Sequence, residues 1–140
     1  MTTLELKRLN PEAKLPSRAH PDDAGLDLYC LNDVSLFPHE PVRVATGIAM
    51  AIPSGCVGLI CDRSSLGAKG IRTLGGVVDA GYRGEVQVIL MNLRNEPVTL
   101  TKGDKIAQML ILPVNLCEVK ETTELPHAMR AEKGFGSSGR

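Results

Sequence analysis

Apolar residues in this chain come in short runs, each soon cut by a proline, glycine, asparagine or aspartate, and that rhythm limits the fold more than any single motif. Fourteen glycines and nine prolines interrupt 140 residues too often for long helices, at the spacing that separates short strands. Strands are predicted at 4–8, 24–29, 34–36, 42–45, 49–52, 57–62, 77–79, 85–93, 98–100 and 106–113. Pro38, Pro41, Pro53, Asn95-Glu96-Pro97 and Lys102-Gly103-Asp104 supply turns between them. The nearly unbroken run Val86-Gln87-Val88-Ile89-Leu90-Met91 marks a central strand, and 64–69 is the best candidate for a helix, a short one. An all-β barrel or sandwich follows. The chain is read as one β domain over 1–129 followed by a flexible Gly/Ser-rich arm over 130–140, whose composition cannot bury a core.

Sixteen basic residues balance sixteen acidic ones, so no global field recruits nucleic acid or an anionic membrane, and any phosphate binding has to be local. The most apolar stretch, about 44–61, is broken by Thr46, Gly47, Pro53, Ser54, Gly55 and Gly58, which argues against a membrane span. The first residues lack the apolar core of a secretory signal. Four cysteines without a C-x-x-C pair and three scattered histidines argue against a zinc site, and a cytoplasmic protein with reduced thiols is expected.

Four segments carry chemistry. In Gly75-Gly76-Val77-Val78-Asp79-Ala80-Gly81-Tyr82-Arg83-Gly84-Glu85, two β-branched residues deliver a carboxylate to the edge of a glycine-rich turn where a ligand can approach the backbone. Asp79 there is placed to act as a base, although alone the pattern is also an ordinary hairpin with a solvated Asp. Asp62-Arg63-Ser64-Ser65-Leu66-Gly67 offers hydroxyls and a guanidinium fork for anions, or simply a Ser cap and a surface Arg. In Ala24-Gly25-Leu26-Asp27-Leu28-Tyr29, alternation turns Asp27 away from its leucines, into solvent or into a site. Gly103-Asp104-Lys105-Ile106-Ala107-Gln108 is a turn entering a strand from which Gln108 emerges among apolar neighbours. The arm carries one of only two phenylalanines, Phe135, between glycines and ahead of Ser137 and Ser138, in the manner of a lid.

In this order and spacing, these segments together with Gly134-Phe135-Gly136-Ser137-Ser138-Gly139 resemble the five motifs of the trimeric dUTP pyrophosphatase (dUTPase) family over nearly the whole length. The resemblance implies a jelly-roll-like, β-clip homotrimer with active sites at subunit interfaces. One subunit supplies the first, second and fourth motifs, a neighbour the third, and another the mobile C-terminal arm. It implies hydrolysis of dUTP to dUMP and pyrophosphate with Mg²⁺, which limits uracil in DNA and provides the thymidylate precursor. Carried over by position, Asp79 is the general base that activates water for attack on the α-phosphorus, and Asp27 reaches the metal through water. Arg63, Ser64, Ser65 and Gln108 hold the phosphates. Thr73, Gly76, Val77, Val78 and Gln87 form the uracil slot, largely through backbone groups, and Tyr82 lies against the deoxyribose. Phe135 stacks on the base, with Gly136 beside it, while Arg130, Ser137 and Ser138 close on the γ-phosphate.

The chain departs from that pattern in places. Asp62 and Ser65 stand where the second motif often has Pro and Gly, and Thr73 where many members have a uracil-contacting Asn. Ala131 and Lys133 replace two arm glycines, stiffening it. Two other functions compete. A dCTP deaminase, or a bifunctional deaminase–dUTPase, shares the fold and an Arg-Ser-Ser segment but needs a glutamate beside the base, and only Glu85 is near. A non-catalytic nucleotide sensor is the other, against which an intact Asp79, Asp27 and Arg63 argue.

Overall fold

The alternation written into the chain becomes an alternation of faces in the computed structural model, which describes residues 2–139; Met1 and Arg140, the outermost residues of the two expected segments, lie outside it. In β2 (Leu26–Tyr29) Leu26 and Leu28 are buried, while Asp27 and Tyr29 turn outward. In β8 (Glu85–Asn92) Val86, Val88, Leu90 and Asn92 point inward, as expected of a central strand. The remaining strands are β1 (Glu5–Arg8), β3 (Val34–Leu36), β4 (Pro41–Ala51), β5 (Cys56–Cys61), β6 (Ile71–Leu74), β7 (Val77–Val78), β9 (Val98–Leu100) and β10 (Lys105–Pro113). A single-turn helix, α1 (Ser64–Gly67), completes the elements.

The strands form two four-stranded sheets, ordered β1-β4-β8-β6 and β2-β10-β5-β7, with a separate β3-β9 pair. All of these strand pairs are antiparallel. Their inward faces meet around Leu28, Ile48, Ile71, Val88, Ile106 and Met109, each at most 1% exposed. Complete burial of such side chains stabilises the domain by roughly 1.5–3 kcal/mol each. The fold is the all-β, jelly-roll-like one expected, with one short helix.

Three local expectations are corrected. The strands predicted at 42–45 and 49–52 are the continuous β4, because Thr46 and Gly47 are absorbed in a register shift against β8 between Ala45 and Ala49. Gly47 takes a positive φ of 70° there; its N–H donates to the Glu85 carboxylate at 2.9 Å, and the Thr46 hydroxyl donates to the Val86 carbonyl at 2.6 Å. β6 was not predicted: four residues between Gly70 and Gly75 are too few to establish a period. The helix ends at Gly67, two residues early, and its N-cap position is held by Arg63 without a side-chain cap, so neither serine caps it.

Candidate active site

The register of β10 assembles the first polar cluster. β10 lies between β2 and β5, and Gln108 is opposite Asp27 on one side and Cys61 on the other. One row across three strands therefore brings the first, second and fourth motifs together. Asp27 is largely buried, and its carboxylate meets Lys105 Nζ at 2.7 Å and Arg63 Nε at 3.5 Å. Arg63 Nη1 also donates to the Lys105 carbonyl (3.4 Å), and Gln108 Nε2 donates to the Asp62 carbonyl (2.9 Å). Asp27, Arg63, Lys105 and Gln108, with His20, Asp23 and Ser64, line a cleft of about 210 Å³. The His20 backbone N–H holds the Asp23 carboxyl below its usual range. Two cations converge on one recessed carboxylate, and because Asp23 also lines the cleft its formal charges balance; what it offers an anion is the paired donors of Arg63 and Lys105, in a chain of zero net charge.

Lys105 and His20 were not anticipated. Strict alternation puts residues 105 and 108 on opposite faces, but the register shift between Lys105 and Ala107 brings both to the cleft. Such a bulge shows only once the partner strand is known.

A second cleft, about 280 Å³, gathers Gly76, Val77, Val78, Asp79, Tyr82 and Gln87, joined by the unanticipated Arg43 from β4. Its wall is fixed by close packing of the hairpin on β5. Gly76 has φ 115°, Ile60 N–H donates to its carbonyl at 2.7 Å, and a Cβ there would lie 2.7 Å from the Ile60 carbonyl oxygen. Only glycine fits. Beyond β7, Tyr82 N–H donates to the Asp79 carbonyl (3.1 Å), Tyr82 Oη to the Glu85 carbonyl (2.9 Å) and Arg83 Nη1 to the Ala80 carbonyl (2.7 Å). The turn is thus held by its own hydrogen bonds while Asp79 and the apolar surface of Val77 stay exposed.

The other candidates lie elsewhere. The Thr73 hydroxyl donates to the Asp62 carboxylate at 2.8 Å, and Thr73 is not among the residues lining the Asp79 cleft. Ser65 is exposed on α1. Arg130, Phe135, Gly136, Ser137 and Ser138 lie in a succession of turns, with Arg130 Nε donating to the Lys133 carbonyl at 2.7 Å and Phe135 fully exposed. None of them lines either cleft. Ala131, at a position where the resemblance leads one to expect glycine, has a φ of 47°. Glu85, the carboxylate a deaminase would need, does line the Asp79 cleft; there it accepts from Gly47 N–H and lies near Gln87 Nε2 (3.4 Å), so it is engaged in holding the β4 bulge.

The two clefts are separate within the chain. β7 runs antiparallel to β5 with Val78 opposite Gly58, so Asp79 lies toward the start of β5 and Arg63 beyond its end. Arg63 itself has extended backbone (φ −88°, ψ 135°). Five residues at ~3.3 Å each place it roughly 16 Å from the Gly58–Val78 pair.

Known proteins share this arrangement of sequence and fold. The dUTPase family model matches residues 11–139. A deoxyuridine 5'-triphosphate nucleotidohydrolase of Mycolicibacterium gilvum is 49% identical, over 99% of this chain and 96% of its own length. One from Nocardia farcinica is 48% identical, over 99% and 87%. The solved Staphylococcus bacteriophage 80alpha dUTPase with dUPNHPP is similar at a TM-score of 0.93 and 32% identity, covering all of both chains. A dUTPase from phage phi11 of S. aureus, whose structure reveals the coordination of a structural Mg(II) ion, has a TM-score of 0.82 and 29% identity over 88% of this chain and 98% of its own. With five motifs in order, an all-β fold that brings three of them into one row, and relatives matched from end to end, the chain belongs to the dUTPase family.

Proposed function

We propose that this chain hydrolyses dUTP to dUMP and pyrophosphate, as a homotrimer whose sites are each shared between subunits. The observation that carries the shared site is the separation of the clefts: the base, Asp79, stands on one and the anion-binding row of Asp27, Arg63, Lys105 and Gln108 on the other. One chain holds both halves of a phosphohydrolase but does not join them, which supports completion of each site by a neighbour.

In this reading the uracil enters the Asp79 cleft, and backbone groups of Gly76, Val77, Val78 and Gln87 pair with its edge. Cytosine reverses donor and acceptor at positions 3 and 4 of that edge and leaves buried groups unpaired. Tyr82 is fixed by its bond to the Glu85 carbonyl, so its ring can exclude a ribose 2′-hydroxyl. Arg63, Ser64, Gln108 and Lys105 of the neighbouring chain hold the triphosphate. Asp79 orients a water and accepts its proton as the oxygen bonds to the α-phosphorus; the bond from that phosphorus to the bridging oxygen breaks, and pyrophosphate leaves. An ionised carboxylate is a weak base, so positioning and charge stabilisation supply most of the acceleration.

The donor set suits a magnesium ion carried by the substrate. Among the described residues no three His, Cys, Asp or Glu side chains form a metal-holding group. A single recessed Asp27 amid cations matches an ion held mainly by phosphates and reached through water. When bound, the ion neutralises charge on the phosphates. The arm over 130–140 is proposed to close over the nucleotide, Phe135 on the base and Arg130, Ser137 and Ser138 on the terminal phosphate. The cytoplasm is its proposed location.

The test is pyrophosphate release from dUTP, dCTP, dTTP and UTP with Mg²⁺. Wild type is expected to cleave dUTP in strong preference to the others, and Asp79→Asn to bind dUTP but turn over at least about a hundredfold more slowly. Ammonia release from dCTP would favour the deaminase, and equal inactivity of both proteins with dUTP binding retained would favour a sensor.

A further inference from the structure

Asp62 is an acid placed immediately before the arginine of an anion site, where a negative charge works against binding. Its surroundings resolve the conflict. One carboxylate oxygen accepts from both the backbone N–H and the hydroxyl of Thr73, the latter at 2.8 Å, and the other faces Arg72 Nη2 at 3.9 Å. The charge is thus directed toward β6. Thr73 is 8% exposed, and β6 is the last strand of its sheet, so Asp62 satisfies an edge N–H that has no strand on that side to pair with. Asp62 itself follows β5 of the opposite sheet, and its carbonyl accepts from Gln108 Nε2. Both its side chain and its backbone are therefore anchored, the one to β6 and the other to β10.

We infer that Asp62, through Thr73, is a positioning residue for the phosphate grip: it clasps the two sheets where Arg63 and Ser64 begin and sets their reach into the anion cleft. The same clasp ties this loop to the strand that leads into the Gly75–Gly76 hairpin, so in a trimer it joins the phosphate half of one site to the base half of the next. This rests on the dUTPase reading for its ligand, a nucleoside triphosphate.

The experiment compares Asp62→Ala, Thr73→Val, their double variant and Asp62→Asn with wild type. Binding of inorganic tripolyphosphate, of a non-hydrolysable α,β-imido dUTP and of dUMP is measured by calorimetry, with KM and kcat for dUTP. Loss of a hydrogen bond to a charged acceptor is expected to weaken tripolyphosphate and the triphosphate analogue roughly tenfold in either single variant. Affinity for dUMP, which lacks the outer phosphates, should change less than about twofold. The double variant should be no weaker than Asp62→Ala alone, because the residues act as one unit. Asp62→Asn keeps an acceptor and should recover most of the loss, which also covers the case in which Asp62→Ala fails to fold. Equal weakening of dUMP and triphosphate, or a lower Tm with all affinities intact, would overturn the assignment in favour of a merely structural clasp. Tripolyphosphate binding that follows this pattern while wild type ignores dUTP would instead leave the positioning role standing and remove the nucleotide reading.

Discussion

Replacing Gly76 with alanine probes the wall of the base cleft at the point where it has least freedom. A methyl at this position would sit 2.7 Å from the Ile60 carbonyl oxygen, which belongs to the backbone of β5 and cannot rotate away. The residue's φ of 115° adds roughly 1–2 kcal/mol for any L side chain. Relief requires the hairpin to withdraw, which sacrifices the Ile60-to-Gly76 hydrogen bond, worth about 1 kcal/mol net. The total is about 2–3 kcal/mol. β7 is held to β5 by only two register pairs and contributes one buried side chain, Val78, so withdrawal of the hairpin disturbs the edge of the core and leaves Ile48 and Val88, on other strands, packed. The penalty therefore falls on the site more than on the fold. Asp79 and the cleft wall move together, and kcat/KM for dUTP should drop by up to roughly a hundredfold, while Tm falls by only a few degrees. Steady-state pyrophosphate release alongside thermal denaturation separates the two effects. A Gly76→Ala protein retaining kcat/KM within about twofold of wild type would refute the claim that this contact sets the geometry of the cleft.

Asn92 makes the opposite kind of case, a buried polar side chain far from the chemistry. Its amide donates to the Leu36 and Glu96 carbonyls and its oxygen accepts from Arg94 N–H, with no exposure. Asn92→Ala should cost about 2–4 kcal/mol and lower Tm by roughly 10 °C, with kcat below the transition unaltered. Truncation after Met129 removes residues that add nothing to the buried core, so the protein should stay folded by circular dichroism while turnover falls at least roughly tenfold if the arm is a lid. Full activity in the truncated protein would make Phe135 and Arg130 passengers.

What could be read from the chain was whatever a few consecutive residues decide. The Leu26-Asp27-Leu28 alternation gave the outward face of Asp27, and glycines around Val77-Val78-Asp79 gave a tight, open turn. What could not be read depends on a partner elsewhere. The Thr46–Gly47 bulge exists because Glu85 and Val86 hold it from β8, and the bulge in β10 turns Lys105 to the side of Gln108. Arg43 reaches the Asp79 cleft from β4, with nothing in its own neighbours to announce it. Thr73 was expected at the uracil, yet its hydroxyl is directed to an aspartate eleven residues away.

The same distinction between local and distant control bears on assembly. The Gly58–Val78 register and the extended backbone of Arg63 set Asp79 and Arg63 at opposite ends of one rigid strand, and no side-chain rotation closes roughly 16 Å. If the site is shared between chains, two differently damaged proteins must therefore repair each other. An Arg63→Ala chain retains a sound Asp79, and an Asp79→Asn chain retains a sound Arg63. Co-expressed in equal amounts and randomly assembled, they should form intact sites wherever the first supplies the base and the second the grip, about a quarter of all sites. Pyrophosphate release should rise to about that fraction of wild type, although each protein alone is nearly inactive, and light scattering should give the mass of three chains. Activity no greater than the sum of the separate variants, in a preparation shown to contain mixed assemblies, would mean that each chain closes its own site.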